Sequence, residues 1–359
     1  MDINNYFDRY VSNTIAGTSN QSYFDSPQKK TSYAFYRVSK HGKMPYSFFF
    51  SNTVDSTYAD GSISKCNDLC GNWTIYKMSV CTPRNIYDIF IGASKEILLT
   101  VDGKSEKTVL PGEEFCTDEV LLDVGEAEYI CVKMTFSGHK IPCHIENTIP
   151  TFSRTEDGAE IKCDKYIPLP SMVGVRRNVL GRIAFIGDSI TQGIGCPENS
   201  YDNYTAVCAR ELKDSYSFWN LGIGYARGAD FASNGAWARK AEKCDVAVVC
   251  FGVNDIFQVA NAQKTMKDFD DIVNILSGKK IIFQTVPPFN YDESARKIWC
   301  ALNEYIDSEI RGRVFAVFDN NKYLSDEKNP QRALFGGHPN AVGAGIWGHN
   351  LAAFLKDKI

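Results

Sequence analysis

The chain is short of histidine and has only a small surplus of negative charge. It holds five histidines in 359 residues, and its 39 lysines and arginines stand against 43 aspartates and glutamates, for a formal net charge of −4. That balance leaves no broad basic face for a phosphate backbone, so nucleic acid is not an expected partner. An uncharged apolar run of about 18 residues, the length a membrane-spanning helix needs, occurs nowhere, so no span is expected. The opening MDINNYFDRYVSNTIAG has acids and polar residues where a signal peptide needs basic residues followed by an apolar run, so none is expected. Twelve cysteines in a chain this long are no disulfide scaffold. Several sit inside apolar runs, among them Cys81, Cys131 and Cys250, where cysteine behaves as a small buried hydrophobe. The close pair Cys66 and Cys70 has no second pair at zinc-like spacing, so no metal is expected, and the expected location is a reducing cytoplasm. Nucleotide motifs fail on inspection. Gly193-Ile194-Gly195 is followed by Glu198 where a dinucleotide loop needs glycine, and Gly103-Lys104-Ser105 has Leu98 where a P-loop needs one. H-E-x-x-H is absent, and no cofactor is called for.

What is present is ordinary globular material, 44% hydrophobic and 23% charged, enough for two cores. From about residue 33 to 150, short runs rich in aromatic and β-branched residues alternate with turn signals. The runs are Tyr33 to Val38, Tyr46 to Phe50, Trp73 to Cys81, Ile86 to Ile91, Ile97 to Val101 and Tyr129 to Phe136. The turns include Asp60-Gly61, Asp102-Gly103, Pro111-Gly112 and Ser137-Gly138. This rhythm predicts an all-β sandwich or jelly-roll domain over 1–175. After Pro168 and Pro170 the pattern becomes strand and helix in alternation. Arg182 to Ile186, Ser217 to Leu221, Val246 to Phe251, Ile281 to Val286 and Val314 to Phe318 read as buried strands. Tyr201 to Lys213, Asp292 to Ile310 and Ala341 to Lys356 read as helices. The second domain, 176–359, is therefore expected to be α/β, with a parallel five-stranded sheet covered on both faces and its function at the carboxyl ends of the strands.

The chemistry-bearing residues fall at those ends. The first strand runs into Gly187-Asp188-Ser189-Ile190-Thr191-Gln192-Gly193, a serine at a strand exit before a helix. Asp and Ser can simply cap that helix there, but the same place suits a nucleophile. The second strand runs into Asn220-Leu221-Gly222-Ile223-Gly224-Tyr225, where glycine allows a backbone N–H to approach a ligand. The third ends in Phe251-Gly252-Val253-Asn254-Asp255, whose amide NH₂ suits an oxyanion. A hydrolytic serine needs a base that titrates near 6.5, and only His338 and His349 lie in this half. His349 falls inside the last helix; His338, in Gly337-His338-Pro339-Asn340 just before it, is the candidate.

Gly-Asp-Ser, a glycine turn, Gly-x-Asn-Asp and His-Pro in this order resemble the SGNH or GDSL hydrolase superfamily (the GDSL lipases and acylhydrolases) over about 180 residues, from Arg182 onward. The resemblance implies a flavodoxin-like three-layer α/β/α fold. It makes Ser189 the nucleophile and first oxyanion donor, Gly224 and Asn254 the further donors, and His338 the general base. In the second block Gly224 or Tyr225 can supply the N–H. Asp188 looks like a structural support. One departure stands out: where the family has Asp three residues before the histidine, this chain has Phe335. A backbone carbonyl would then orient His338 in a Ser-His dyad, or Asp326 or Glu327 would substitute. A β-rich region before an SGNH domain, together with the missing acid, also resembles carbohydrate esterase family two and related acetyl esterases. That implies a serine esterase acting on a small acylated substrate, an O-acetylated carbohydrate. The rivals are a lysophospholipase or thioesterase with the same machinery, and an inactive carbohydrate-binding protein. Tyr33, Tyr36, Tyr46, Trp73, Tyr76 and Tyr87 are either sugar-stacking surface or sandwich core; Trp219, Trp237, Trp299 and Trp347 read as packing residues.

Overall fold

Alternating apolar residues in the N-terminal half build strands, and the computed structural model, which describes residues 3–56, 66–92, 94–156, 158 and 160–359, arranges them in two antiparallel sheets. Contacts divide the chain into Met1–Asp55 with Asp68–Val179, and Ser56–Asn67 with Leu180–Ile359. In the first unit a five-stranded sheet runs Val11–Ser12, Met172–Val175, Lys43–Ser51, Glu114–Cys116, with Val120–Asp123 also paired to Lys43–Ser51. A seven-stranded sheet runs Lys162–Cys163, Thr151–Thr155, Ser22–Arg37, Tyr129–Cys143, Trp73–Cys81, Ile97–Leu99, with Lys107–Val109 also paired to Trp73–Cys81. Met172–Val175, beyond Pro168 and Pro170, is thus still a strand of this unit. Tyr33, Tyr36, Tyr46 and Trp73 are buried in its core, Tyr76 is half-buried and Tyr87 is exposed.

Three expectations change here, the first being the Ser137-Gly138 turn, which lies inside the continuous strand Tyr129–Cys143 and pairs there with Thr74 and Trp73. Ile86 to Ile91 is not a strand but carries the short helix Tyr87–Phe90. Ile86, Ile89 and Phe90, spaced as one helical face, pack on the buried cluster of Tyr33, Phe35, Cys81, Tyr129 and Cys131. The Asp88 carboxylate accepts the Arg84 and Asn85 N–H groups and fixes the turn. The strand expected from Tyr33 begins at Ser22 instead, because it pairs with Tyr129–Cys143 through register shifts at Ser26 that accommodate Pro27. The Asp60-Gly61 turn lies outside the described residues. None of the twelve cysteines forms a disulfide, and Cys81, Cys131 and Cys250 are buried.

The second unit is an α/β layer structure. Its strands are β1 (Gly181–Gly187), β2 (Tyr216–Asn220), β3 (Val246–Cys250), β4 (Lys280–Gln284) and β5 (Ala316–Phe318), all parallel in the order β2-β1-β3-β4-β5. Every residue of β3 is buried, as expected of a strand covered on both faces. One helical layer holds Tyr204–Leu212, Asn321–Leu324 and Ala341–Lys358; the other holds Gly228–Ala232, Ala262–Ile275 and Glu293–Tyr305. The expected helix to Ile310 is present, with its last turn, Ile306–Ile310, in π geometry. Trp219, Trp237, Trp299 and Trp347 are buried, the last three donating to Leu221 O, Val286 O and Gln284 Oε1. Strand order reverses about β1, so the loops leaving β1, β2 and β3 meet at the place where open α/β sheets bind ligands. No helix among the described residues is long and apolar enough to cross a membrane.

Candidate active site

The turn after β1 is built so that Ser189 starts a helix. A Cβ on Gly187 would lie 2.2 Å from Thr191 Oγ1 and 2.4 Å from Cys250 O, so only glycine fits where the chain turns. Asp188 is the extended N-cap, its Oδ1 accepting the Ile190 N–H at 2.9 Å, and the helix Ser189–Gln192 follows. Full burial pushes the Asp188 carboxyl up to about 7, against the backbone hydrogen bonds that favour its ionised form. Two buried asparagines that the sequence reading passed over anchor this helix. Asn203 Nδ2 donates to Gln192 O (3.1 Å), and Asn220 Nδ2, at the end of β2, donates to Thr191 O (3.0 Å). The signal of Asn220 was a polar side chain at the end of a buried strand, whereas Asn203 stands at a helix N-cap, where asparagine is ordinary.

His338 meets Ser189 across this edge: Ser189 Oγ and His338 Nε2 are 2.8 Å apart. The histidine loop is fixed behind by Asn340, whose Oδ1 caps the final helix through the Val342 and Gly343 N–H groups. In front, Gly195 (φ +103°) lies against it; a Cβ there would fall 2.6 Å from Pro339 O and 2.9 Å from His338 Cβ. Thus Gly193-Ile194-Gly195, rejected as a nucleotide loop, seats the histidine. Phe289, from the loop after β4, packs on the imidazole with ring centroids 5.2 Å apart and planes at 78°. Half-burial lowers the His338 pKa below its usual 6.5, leaving the ring neutral at pH 7.

No carboxylate among the described residues forms an ion pair or hydrogen bond with His338. Neither alternative for orienting the ring is formed among the described residues: no backbone carbonyl is hydrogen-bonded to His338, and Asp326 accepts the Lys328 and Asn329 N–H groups of its own loop. Phe335 packs against the final helix, where a Cβ on Gly343 would lie 2.5 Å from its Cβ. His349 is exposed and pairs with Glu211 at 3.2 Å.

The β2 loop touches the serine helix directly. A Cβ on Gly222 would be 2.3 Å from Gln192 N, and the Ile223 N–H donates to Gly187 O at 3.1 Å. Gly224 follows, buried, before Tyr225 at φ +61°. Among the described residues neither the Ser189 nor the Gly224 N–H has a hydrogen-bond acceptor. Asn254, beyond β3, donates one Nδ2 hydrogen to Ala226 O at 3.0 Å, which ties the β2 and β3 loops together and leaves its second hydrogen. Asp255 is buried beneath, both of its oxygens accepting the Gly228 N–H (3.0 and 3.1 Å), and burial pushes its carboxyl up to about 7. No group of three or more His, Cys, Asp or Glu among the described residues is arranged to hold a metal ion.

A seryl hydroxyl bonded to a neutral imidazole, beside unengaged N–H groups at the carboxyl edge of a β2-β1-β3-β4-β5 sheet, is an arrangement for acyl transfer. The model of the GDSL-like lipase/acylhydrolase family matches residues 185–346, a span holding Ser189, Gly224, Asn254 and His338. The second unit is thus a GDSL-type (SGNH) hydrolase domain, and its reaction class is acyl ester hydrolysis. No curated protein matches the chain. Among solved structures, a family two carbohydrate esterase from Clostridium thermocellum, in complex with cellohexaose, is 15% identical, covering 97% of this chain and 98% of its own at a TM-score of 0.42. A putative lipolytic protein of the G-D-S-L family from Desulfitobacterium hafniense is 18% identical, covering 48% of this chain and 98% of its own at 0.41. A putative arylesterase from Agrobacterium tumefaciens is 18% identical, covering 50% and 100% at 0.39.

Proposed function

We propose that the chain removes a short acyl group, an O-acetyl group on a carbohydrate, through an acyl-serine intermediate formed by a Ser189–His338 dyad. The 2.8 Å contact between Ser189 Oγ and His338 Nε2 carries this reading. His338 takes the hydroxyl proton as Ser189 attacks the ester carbonyl. The Ser189 and Gly224 N–H groups and the free Asn254 amide hydrogen receive the oxyanion. Collapse breaks the ester C–O bond, and His338 returns its proton to the departing alcohol. Water, deprotonated by His338, then attacks the acyl-serine; the proton goes back to Ser189 Oγ and the acid leaves.

With no carboxylate on the imidazole, Phe289 packs on the ring and Gly195 lies against the His338 backbone and Cβ, and together they hold the histidine. A sugar ester as substrate is supported by the β-sheet unit preceding the hydrolase domain and by Phe335 in place of the family's acid, the two features of the resemblance to family two esterases. Initial rates on 4-nitrophenyl esters from acetate to octanoate, for wild type beside Ser189→Ala, test it. The expected result is a rate highest on acetate and abolished in the variant. A peak at long chains points to a lipid or thioester substrate, and no Ser189-dependent rate on any ester would leave a binding protein.

A further inference from the structure

One aromatic group near the site has no part in the bond-making chemistry. Phe257 is 53% exposed although it is a large apolar side chain. It stands three residues after Asn254 on the π-helical turn Asp255–Val259, an irregular geometry that is common at functional sites. The turn is tied at its base, where buried Asp255 accepts the Gly228 N–H, and it closes at Ala260 in the left-handed region (φ +52°). The Phe257 ring packs on Phe289 (centroids 5.6 Å apart, planes at 65°) and on the buried Tyr291 (5.6 Å, 32°). Phe289 in turn packs on His338 and against Gly337, where a Cβ would lie 3.1 Å from its ring carbons. An aromatic shelf thus runs from the imidazole outward to an exposed edge at Phe257.

The chemistry of the dyad says which half of an ester meets that shelf. His338 Nε2 must hand its proton to the departing oxygen, so the alcohol lies beside the imidazole, while the carbonyl oxygen is held at Ser189, Gly224 and Asn254. Groups flanking the ring therefore flank the alcohol. We propose that Phe257, seated on Phe289, is the residue that selects the alcohol half of the substrate, favouring an alcohol that presents a flat ring face, a pyranose or an aryl ring, over an acyclic one. This rests on the assignment of Ser189 and His338 as the reacting pair.

The test is kcat/KM for wild type, Phe257→Ala and Phe257→Trp on three acetates: an acetylated methyl xylopyranoside, 4-nitrophenyl acetate and ethyl acetate. A 4-nitrophenyl acyl series and Ser189→Ala run alongside. Each variant is compared with wild type on the same ester, so differences in intrinsic reactivity cancel. Phe257→Ala is expected to lose about three- to tenfold on the two ring acetates, the range of one aromatic contact. It should leave ethyl acetate and the acyl-chain profile unchanged, and Phe257→Trp should recover the ring acetates. An equal loss on ethyl acetate would reduce Phe257 to a structural role and overturn the proposal. A shifted acyl-chain profile would overturn it by placing the ring on the acyl side. If Ser189→Ala retains the wild-type rates, the dyad itself is wrong, a failure separate from either of these.

Discussion

Replacing Asn254 by alanine separates the oxyanion role from the structural one. Asn254 has two amide hydrogens, of which one goes to the carbonyl of the buried Ala226 at 3.0 Å and the other is unengaged. Alanine removes both. Loss of the unengaged donor should lower kcat by about 10²–10³, equivalent to about 2.7–4 kcal/mol in the barrier, because the backbone donors at Ser189 and Gly224 remain. Loss of the other leaves a buried carbonyl without its partner and should cost about 1–3 kcal/mol of folding stability. The two effects are read independently, kcat and KM on 4-nitrophenyl acetate against a denaturant melt. KM should move little, because the interaction strengthens only as charge develops on oxygen. A folded Asn254→Ala enzyme with kcat within tenfold of wild type would refute the oxyanion assignment.

Other perturbations follow from the same geometry. Burial holds His338 neutral below its usual 6.5, so kcat/KM should rise with pH through one ionisation under 6.5 and stay level through neutrality; a limb centred above 6.5 would contradict this. Asp188→Ala removes the cap on the serine helix and should cost about 0.5–2 kcal/mol in stability, measured by chemical denaturation, together with activity. Gly195→Val should depress kcat in a folded enzyme, because the added carbons occupy the space of Pro339 O and His338 Cβ. Asp255 titrates near 7 in the fold against about 3.9 when unfolded, so its protonated form stabilises the fold, and that contribution is lost as pH rises through about 7. Relative to Asp255→Asn, the wild-type melting temperature should therefore fall between pH 5 and pH 8.

The parallel sheet was legible because a strand buried on both faces has a plain signature. The apolar runs at Val246 and Ile281 can be little else, and the observed strands start and stop within two residues of them. Ile86 to Ile91 misled because a short apolar run fits a strand as well as a helix, and the spacing of Ile86, Ile89 and Phe90 decides only once their target exists. The polar stretch from Ser22 carried no apolar alternation, so its pairing with Tyr129–Cys143 is set by its partner rather than by its own residues. Cys66 and Asn67 read as part of the β-rich half. They pack with the hydrolase unit, where Asn67 Nδ2 donates to Ser233 Oγ and Asn67 Oδ1 accepts the Ala236 N–H, contacts between residues far apart in sequence. Ser189 and His338 were readable as types in the right order, but the glycine contacts that seat them were not. Gly195 and Gly222 acquire meaning only through what a Cβ would strike. Phe289 had no signal at all, since its role is a ring placed beside an imidazole.

The most direct measurement of the central claim is covalent capture of the nucleophile. The protein is incubated with a fluorophosphonate ester and its intact mass followed over time, with Ser189→Ala in parallel. The account predicts one phosphonyl adduct per chain, mapped to the peptide holding Ser189, absent in the variant and formed more slowly as pH falls and His338 protonates. An adduct that forms equally in Ser189→Ala, or none in a folded wild-type protein, would contradict it.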